Sequence, residues 1–99
     1  MAGLIPVGLA GLGRYLPERR LTNQDLEKIV DTSDDWIVQR TGIRERRIAA
    51  DGQVTSTLAL AAAQQAIADA KIDPNDIDLV ICATVTGDQP FPDGGAQLC

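Results

Sequence analysis

An almost continuous apolar run over residues 77–86 constrains the fold more than any other segment of the chain. Its sequence, IDLVICATVT, is typical of a parallel β-strand that is buried on both faces. Residues 4–12, with the sequence LIPVGLAGL, form a second apolar run and predict another buried strand. A helix is predicted between them, over residues 56–71. The order of strand, helices and strand predicts an α/β fold with a parallel sheet and a crossover connection.

The predicted helix over residues 56–71 is rich in alanine, with Leu60, Ala63, Ile67 and Ala70 on one stripe. Small side chains on nearly every face predict that other backbone packs closely around this helix. After a predicted loop over residues 88–95, residues 96–99 indicate the opening of one more helix. Two or three strands cannot shield both faces of a parallel sheet, so we expect the chain to be part of something larger or of an assembly.

Two short helices are predicted between residues 21 and 42. Thr22 and the carboxylate three residues later have the pattern of a capping box for the first helix, which should end near residue 30. Thr32 or Ser33 opens the second helix, and two aspartates follow in its first turn, where they favour the helix dipole. Gly42 stands where a left-handed stop at the end of this helix would fall.

The second helix carries the residues most suggestive of a binding site. The only tryptophan, Trp36, and Arg40 lie four residues apart, hence on one face, and Thr32 lies at the start, where free backbone N–H groups converge. A flat aromatic beside a guanidinium can stack a nucleobase and hold a phosphate, which favours a nucleotide-bearing ligand. The alternative is an amphipathic helix whose Trp36 packs into the core and whose Arg40 faces water.

Residues 43–49 are too charged for a buried strand and predict an exposed one. Four of the nine basic residues lie between positions 40 and 47. Arg44, Arg46 and Arg47 could enlarge an anion site, but alternation with Glu45 is equally expected of an exposed strand that pairs its own charges. The net charge of -5 argues against general nucleic-acid binding, for which a basic face is expected.

Several other classes are excluded or disfavoured by composition. No segment has the roughly 18 consecutive apolar residues of a membrane span, and the N-terminus lacks the layout of a signal peptide, which predicts a soluble, cytoplasmic protein. Two cysteines and no histidine make a disulfide scaffold or a metal site unexpected. Cys82 is interpreted as a small core residue, and Cys99, without a histidine base, as structural. Gly11 and Gly13 lack the third glycine of a dinucleotide fingerprint.

The chain resembles β-ketoacyl-acyl-carrier-protein synthase III over essentially its whole length. The most specific block is W-I-x-x-R-T-G-I-x-x-R at residues 36–46. The similarity extends over residues 15–18, 22–26, 31–46, 48–50, the alanine-rich helix, 77–84 and 91–92. The resemblance implies that the 99 residues are about the first third of such an enzyme, the N-terminal segment of the first half of a thiolase-like fold with α/β/α/β/α layers. The remaining strands and helices, and the second half, would lie outside the chain.

The resemblance also implies a function. Members of this family join an acyl-CoA primer, commonly acetyl-CoA, to malonyl-ACP by decarboxylative Claisen condensation, which initiates type II fatty acid synthesis. It implies that Trp36 stacks the CoA adenine, that Thr32 hydrogen-bonds near it, and that Arg40 contacts the CoA nucleotide or its phosphates. Phe91 matches a position at a homodimer interface that shapes the partner's acyl pocket. No bound cofactor or metal is implied; the expected partners are the two substrates and the acyl carrier protein.

The chain departs from the family pattern in two respects. The catalytic Cys-His-Asn set is not among these residues, and Cys99 does not align with the nucleophile. Asp93-Gly94-Gly95 follows Pro92 where small hydroxylated and apolar residues are usual. This second departure keeps open a starter-unit condensing or acyl-transferring enzyme of a polyketide pathway. A non-catalytic CoA-binding module is the further alternative if the 99 residues are complete.

Overall fold

The computed structural model describes residues 3–88. They divide into a central unit, Leu16–Gln53, and a terminal unit whose described parts are residues 3–15 and 54–88. The helices and strands are, in chain order, β1 (Arg19–Thr22), α1 (Asn23–Glu27), α2 (Asp34–Thr41), β2 (Glu45–Ile48) and α3 (Thr55–Ala70), followed by a 3-10 turn at Pro74–Asp76. None of the described helices is long and apolar enough to cross a membrane.

The central unit is built on an antiparallel pair of strands. Strands β1 and β2 pair with Arg19 opposite Ile48 and Thr22 opposite Glu45. The prediction of a strand within residues 43–49 is therefore confirmed by β2, but only Glu45 of its four residues is exposed and the other three are half-buried. Strand β1 was not predicted, because its last residue, Thr22, is also the N-cap of α1 and the capping signal dominates the local sequence.

The predicted helix boundaries of the central unit hold at three of four ends. Thr22 Oγ1 accepts from the Asp25 N–H at 3.2 Å, and an Asp25 carboxylate oxygen accepts from the Thr22 N–H at 3.0 Å, which confirms the capping box. The hydrogen bond from the Thr22 N–H to the carboxylate, and after it the interaction with the Thr22 side chain, lower the pKa of Asp25. Ser33, one of the two predicted residues, caps α2, and Gly42 ends it at φ 72°. Helix α1 is shorter than predicted, since it ends at Glu27 and turns before residue 30.

The terminal unit is organised around α3, which confirms the predicted helix within a residue at either end. Backbone near residues 11–14 lies directly against it. A Cβ added to Gly11 would stand 2.7 Å from the Ala70 nitrogen, closer than real Cβ atoms come to backbone. The Leu12 N–H donates to the Asp69 carboxylate at 3.0 Å. One helical turn earlier in α3, the Gln65 side chain accepts from the Arg14 N–H at 2.7 Å. The expected close approach of backbone to this small-residue helix is confirmed.

The two apolar runs are not strands in the structure. Neither residues 4–12 nor residues 77–86 belong to a hydrogen-bonded ladder within the described part of the chain, so the prediction of a parallel pair is wrong there. Their large side chains lie in the open, with Val7 at 92% exposure and Ile81 at 81%. The physical reason is that apolar periodicity reports a preference for burial, whereas a strand also needs a partner for its backbone groups. Cys82, expected in the core, is only half-buried.

The end of the described chain is attached to the N-terminus of α3. Thr55 Oγ1 donates to the Thr86 carbonyl at 2.7 Å, and the Ser56 N–H donates to Asp88 Oδ1 at 2.9 Å. The Ser56 hydroxyl also contacts the second carboxylate oxygen of Asp88. Hydrogen bonds from the Ser56 hydroxyl and N–H lower the pKa of Asp88 below its ordinary value. The loop and helix predicted for residues 89–99 lie outside the described residues.

Candidate functional site

Trp36 and Arg40 are brought together on α2. The Arg40 guanidinium carbon lies 4.7 Å from the centroid of the Trp36 ring, within the range of a cation–π contact. Trp36 is nevertheless 54% exposed, so the ring keeps accessible surface beside the guanidinium. The residue of α2 that enters the core is Ile37, at 9% exposure. The interpretation of Trp36 as a core residue is therefore wrong within the described structure.

Thr32 lies at the N-terminal end of the same helix, immediately before the cap residue Ser33. It is half-buried, and no hydrogen bond engages its hydroxyl among residues 3–88. Its place beside the first turn of α2 puts it at the positive end of the helix dipole. A hydroxyl there can donate to an acceptor atom of a ligand or accept from one of its N–H groups.

The N-terminus of α2 is held from two directions. Ser33 Oγ accepts from the Trp36 N–H at 3.2 Å, and the Glu27 carboxylate accepts from the Asp34 N–H at 2.8 Å. These contacts satisfy two of the N–H groups that a helix start leaves without intrahelical partners. The helix that carries Trp36 is thus fixed at its start by a residue of the preceding helix, α1.

A buried asparagine links this helix to the strands. Asn23 is fully buried, and its amide nitrogen donates to Asp34 Oδ1 at 2.7 Å and to the Ile43 carbonyl at 2.8 Å. Its amide oxygen accepts from Arg46 Nη2 at 2.8 Å. Its backbone N–H donates to the Arg44 carbonyl at 3.1 Å. One side chain therefore connects the start of α2, the segment after its end, and β2.

The arginines of β2 serve this framework rather than an open anion site. Arg46 also donates to the Leu21 carbonyl at 3.2 Å, and Arg47 donates to the Pro17 carbonyl at 2.8 Å. Glu45 pairs with Arg20 at 3.8 Å, an exposed contact of small energetic weight. Neither interpretation of this segment describes these contacts, because Arg46 and Arg47 bond to carbonyl oxygens and Glu45 pairs with Arg20 of β1 rather than with an arginine of its own strand.

The arrangement on α2 is suited to binding a ligand. It offers a planar ring for stacking, a guanidinium for an anion and a hydroxyl for a hydrogen bond. Phe91, the other predicted site residue, lies outside the described residues, so its role stays a prediction. The roles of Thr32, Trp36 and Arg40 toward a ligand stay predictions as well.

Asn23 and Glu27 support the site but were not predicted from the sequence. Asn23 follows Thr22, and both residue types favour the cap position; only one of them can occupy it, which is a signal that the second has another task. Glu27 carries no local signal, since its acceptor role depends on α2 starting beside it. Both residues bond to Asp34 at the start of α2, the helix whose surface carries the predicted site residues.

Two curated proteins similar to the chain have the same name. The chain is 62% identical to β-ketoacyl-[acyl-carrier-protein] synthase III of Symbiobacterium thermophilum over 88% of the chain and 26% of that protein. The same name belongs to a Bacillus pumilus protein that is 62% identical over 86% of the chain and 27% of its own length. The chain spans about a quarter of the length of these relatives. No family model matches the chain.

Solved structures agree with the sequence relatives. The 3-oxoacyl-[acyl-carrier-protein] synthase III from Aquifex aeolicus superposes with a TM-score of 0.82 at 48% identity, covering 90% of this chain and 29% of that one. The priming β-ketosynthase from the R1128 polyketide biosynthetic pathway superposes with a TM-score of 0.83 at 34% identity, covering 91% of this chain and 27% of that one. The fold is accordingly that of part of a thiolase-like α/β enzyme.

Proposed function

Because the chain belongs to the β-ketoacyl-acyl-carrier-protein synthase III family, we propose that its protein catalyses the first condensation of type II fatty acid synthesis. In this reaction an acyl-CoA primer, with acetyl-CoA as the expected primer, condenses with malonyl-ACP. Carbon dioxide and free CoA leave, and a β-ketoacyl-ACP is formed. The exposed Trp36–Arg40 pair on α2 is the observation that carries the proposal.

The geometry of the pair supports binding of the CoA nucleotide. One side of the indole contacts the guanidinium at 4.7 Å, and the ring remains 54% exposed, so an adenine can stack on the indole while Arg40 stays near enough to meet a phosphate. Thr32, with no hydrogen-bond partner among the described residues, can bond to a polar group of the same ligand. A small metabolite without a nucleotide would not use the aromatic ring, the guanidinium and the hydroxyl at the same time.

The chemistry of bond formation would come from residues outside these 99. The family's catalytic set is a cysteine, a histidine and an asparagine, and this sequence has no histidine. In the proposed reaction a cysteine thiolate takes the acyl group from CoA, and the histidine and asparagine stabilise the charge that develops as malonyl-ACP loses carbon dioxide. The described residues contribute the docking of the CoA portion of the primer.

A priming enzyme of a polyketide pathway is the second candidate. The structural similarity to the R1128 priming enzyme supports it, as does the departure at residues 93–95. The lower sequence identity to that enzyme than to the Aquifex enzyme favours the fatty acid role. A panel of primers separates the two, because a preference for longer or branched acyl-CoA over acetyl-CoA would favour the polyketide role.

The remaining parts of the proposal concern assembly and location. We propose a homodimer in the cytoplasm, with Phe91 of one subunit shaping the acyl pocket of the other and the acyl carrier protein as a transient partner. Support comes from the resemblance of residues 91–92 to the family. Sedimentation of the purified protein at its full natural length tests the dimer, and a monomer would contradict it.

The direct test is formation of product. The purified natural protein is incubated with radiolabelled acetyl-CoA and malonyl-ACP, and we expect label in acetoacetyl-ACP together with release of carbon dioxide. A matched reaction with acetyl-ACP in place of acetyl-CoA tests whether the primer must carry CoA. Absence of condensation with every acyl-CoA tried, while the protein still binds CoA, would contradict the proposed reaction and favour a non-catalytic binding role.

A further inference from the structure

We propose that Asn23 is the positioning residue of the α2 site: it sets the helix that carries Trp36 and Arg40 in the orientation that binds the primer's nucleotide. This inference rests on the proposed function. Asn23 contacts none of the residues that are predicted to bind the ligand. It acts through Asp34, the first residue of α2, and through Ile43, which directly follows the C-terminal cap of α2, Gly42.

The Asn23 side chain is buried away from water. Asn23 is the most buried side chain among residues 3–88, at 0% exposure. Placing an uncharged amide away from water is unfavourable unless its polar atoms are bonded. Here both amide hydrogens and the amide oxygen have partners at 2.7 to 2.8 Å. A side chain so fully satisfied fixes the relative positions of its partners.

The partners lie at both ends of α2. Asp34 Oδ1 is at the first turn, and the Ile43 carbonyl comes directly after Gly42, whose left-handed conformation ends the helix. An eight-residue helix is about 12 Å long, so contacts at both ends restrict its rotation more than one contact would. Trp36 and Arg40 lie between these two points. Loss of the contacts would allow α2 to shift without removing any group that meets the ligand.

The hydrogen-bond partners around residue 23 match the donors and the acceptor of an amide side chain. Two acceptors, the Asp34 carboxylate and the Ile43 carbonyl, face its nitrogen, and a donor, Arg46, faces its oxygen. Aspartate has the same shape but offers no donor to either acceptor when ionised. Asn23→Asp therefore keeps the contact with Arg46 and removes the two contacts that hold α2.

The effect on affinity depends on the fraction of molecules in which α2 has the orientation that binds the nucleotide. If only about one molecule in ten keeps this orientation, the apparent affinity falls about tenfold. For Asn23→Asp we expect the KM for acetyl-CoA to rise about tenfold, while kcat and the KM for malonyl-ACP change by less than about twofold. A general loss of folded protein would instead lower kcat and leave both KM values unchanged.

A charge exchange supplies the rescue. In the double variant Asn23→Asp with Asp34→Asn, the amide introduced at position 34 can donate to the carboxylate introduced at position 23. We expect this double variant to recover part of the lost affinity for acetyl-CoA, because the contact with Asp34 is restored and that with the Ile43 carbonyl is not. The matched control combines Asn23→Asp with Asp35→Asn. Asp35 lies in the same turn as Asp34 but does not contact Asn23, so this double variant should recover none of the lost affinity.

The outcomes separate this inference from the proposed function. Trp36→Ala is measured in the same assay: if it raises the KM for acetyl-CoA and Asn23→Asp does not, the site stands and the role of Asn23 is overturned. If neither raises it, the proposed site fails first and the inference fails with it. Should Asn23→Asp not yield folded protein, Asp34→Ala decides, with a higher KM for acetyl-CoA than Asp35→Ala supporting the inference and equal values overturning it.

Discussion

Replacement of Trp36 by alanine should weaken binding of the CoA nucleotide without stopping acyl transfer. The ring is 54% exposed and its intramolecular partner on the described chain is the Arg40 guanidinium, so its loss opens no cavity in the core. The cation–π contact that disappears is worth about 0.5–1 kcal/mol at an exposed site, too little to unfold a domain. The effect should therefore fall on the ligand.

The size of the effect follows from stacking. A base stacked on an aromatic side chain contributes about 1–3 kcal/mol when that side chain is truncated to alanine. At about 1.4 kcal/mol for each factor of ten, Trp36→Ala should raise the KM for acetyl-CoA roughly 5- to 150-fold. Trp36→Phe retains a flat ring of smaller area and should show a smaller increase.

The assay compares two primers that differ only in the nucleotide. Initial rates are measured with acetyl-CoA and with acetyl-pantetheine at fixed malonyl-ACP, for the wild type and Trp36→Ala at the full natural length. The wild type should prefer acetyl-CoA, and the variant should lose most of that preference. Its KM for acetyl-pantetheine should equal that of the wild type, because this primer has no adenine to stack.

Two results would refute this reasoning. An unchanged KM for acetyl-CoA would mean that Trp36 does not contact the primer. Equal increases for both primers would mean that the substitution disturbs the protein generally, and the stacking role would then be lost even though activity fell.

Three further predictions concern other contacts. Arg40→Gln should raise the KM for acetyl-CoA several-fold at low salt, and the difference from wild type should shrink above about 0.5 M salt, because the charge is exposed and screened; Arg40→Lys should restore the salt dependence but not the full affinity. Gly11→Ala should lower the free energy of unfolding by about 1–3 kcal/mol in urea titrations, since its Cβ would meet backbone of Ala70 at 2.7 Å, and an unchanged midpoint would contradict the close approach. The hydrogen bonds from Ser56 that lower the pKa of Asp88 stabilise the fold above about pH 4 and are lost as pH falls through that lowered pKa, so the stability gap between wild type and Asp88→Asn should close in acid; a gap independent of pH would oppose this.

Local signals predicted the caps and helices of the chain well. The capping box at Thr22, the serine cap of α2 and the glycine stop at position 42 each depend on residues within one turn of one another. Strand β1 could not be found in this way, because its pairing with β2 joins Leu21 to Arg46, far apart in the sequence. The apolar runs at 4–12 and 77–86 indicated burial, but a strand forms only where a partner strand bonds to it.

In the candidate site, too, the contacts within one helix were predictable from the sequence and the long-range contacts were not. The proximity of Trp36 and Arg40 follows from their spacing on a helix, and the sequence predicted it. The network around Asn23 required the fold, since its partners come from α2, β2 and the segment between them. Buried polar networks of this kind carry little periodic signal in a sequence.

The most direct test of the account is the structure of the full-length natural protein with CoA bound. We expect the adenine ring stacked about 3.5–4.0 Å from the exposed part of the Trp36 ring, with Arg40 at a phosphate and Thr32 within hydrogen-bond distance of the nucleotide. A CoA molecule whose nucleotide binds elsewhere, with the Trp36 ring still open to water, would contradict the central claim that α2 is the primer-binding helix.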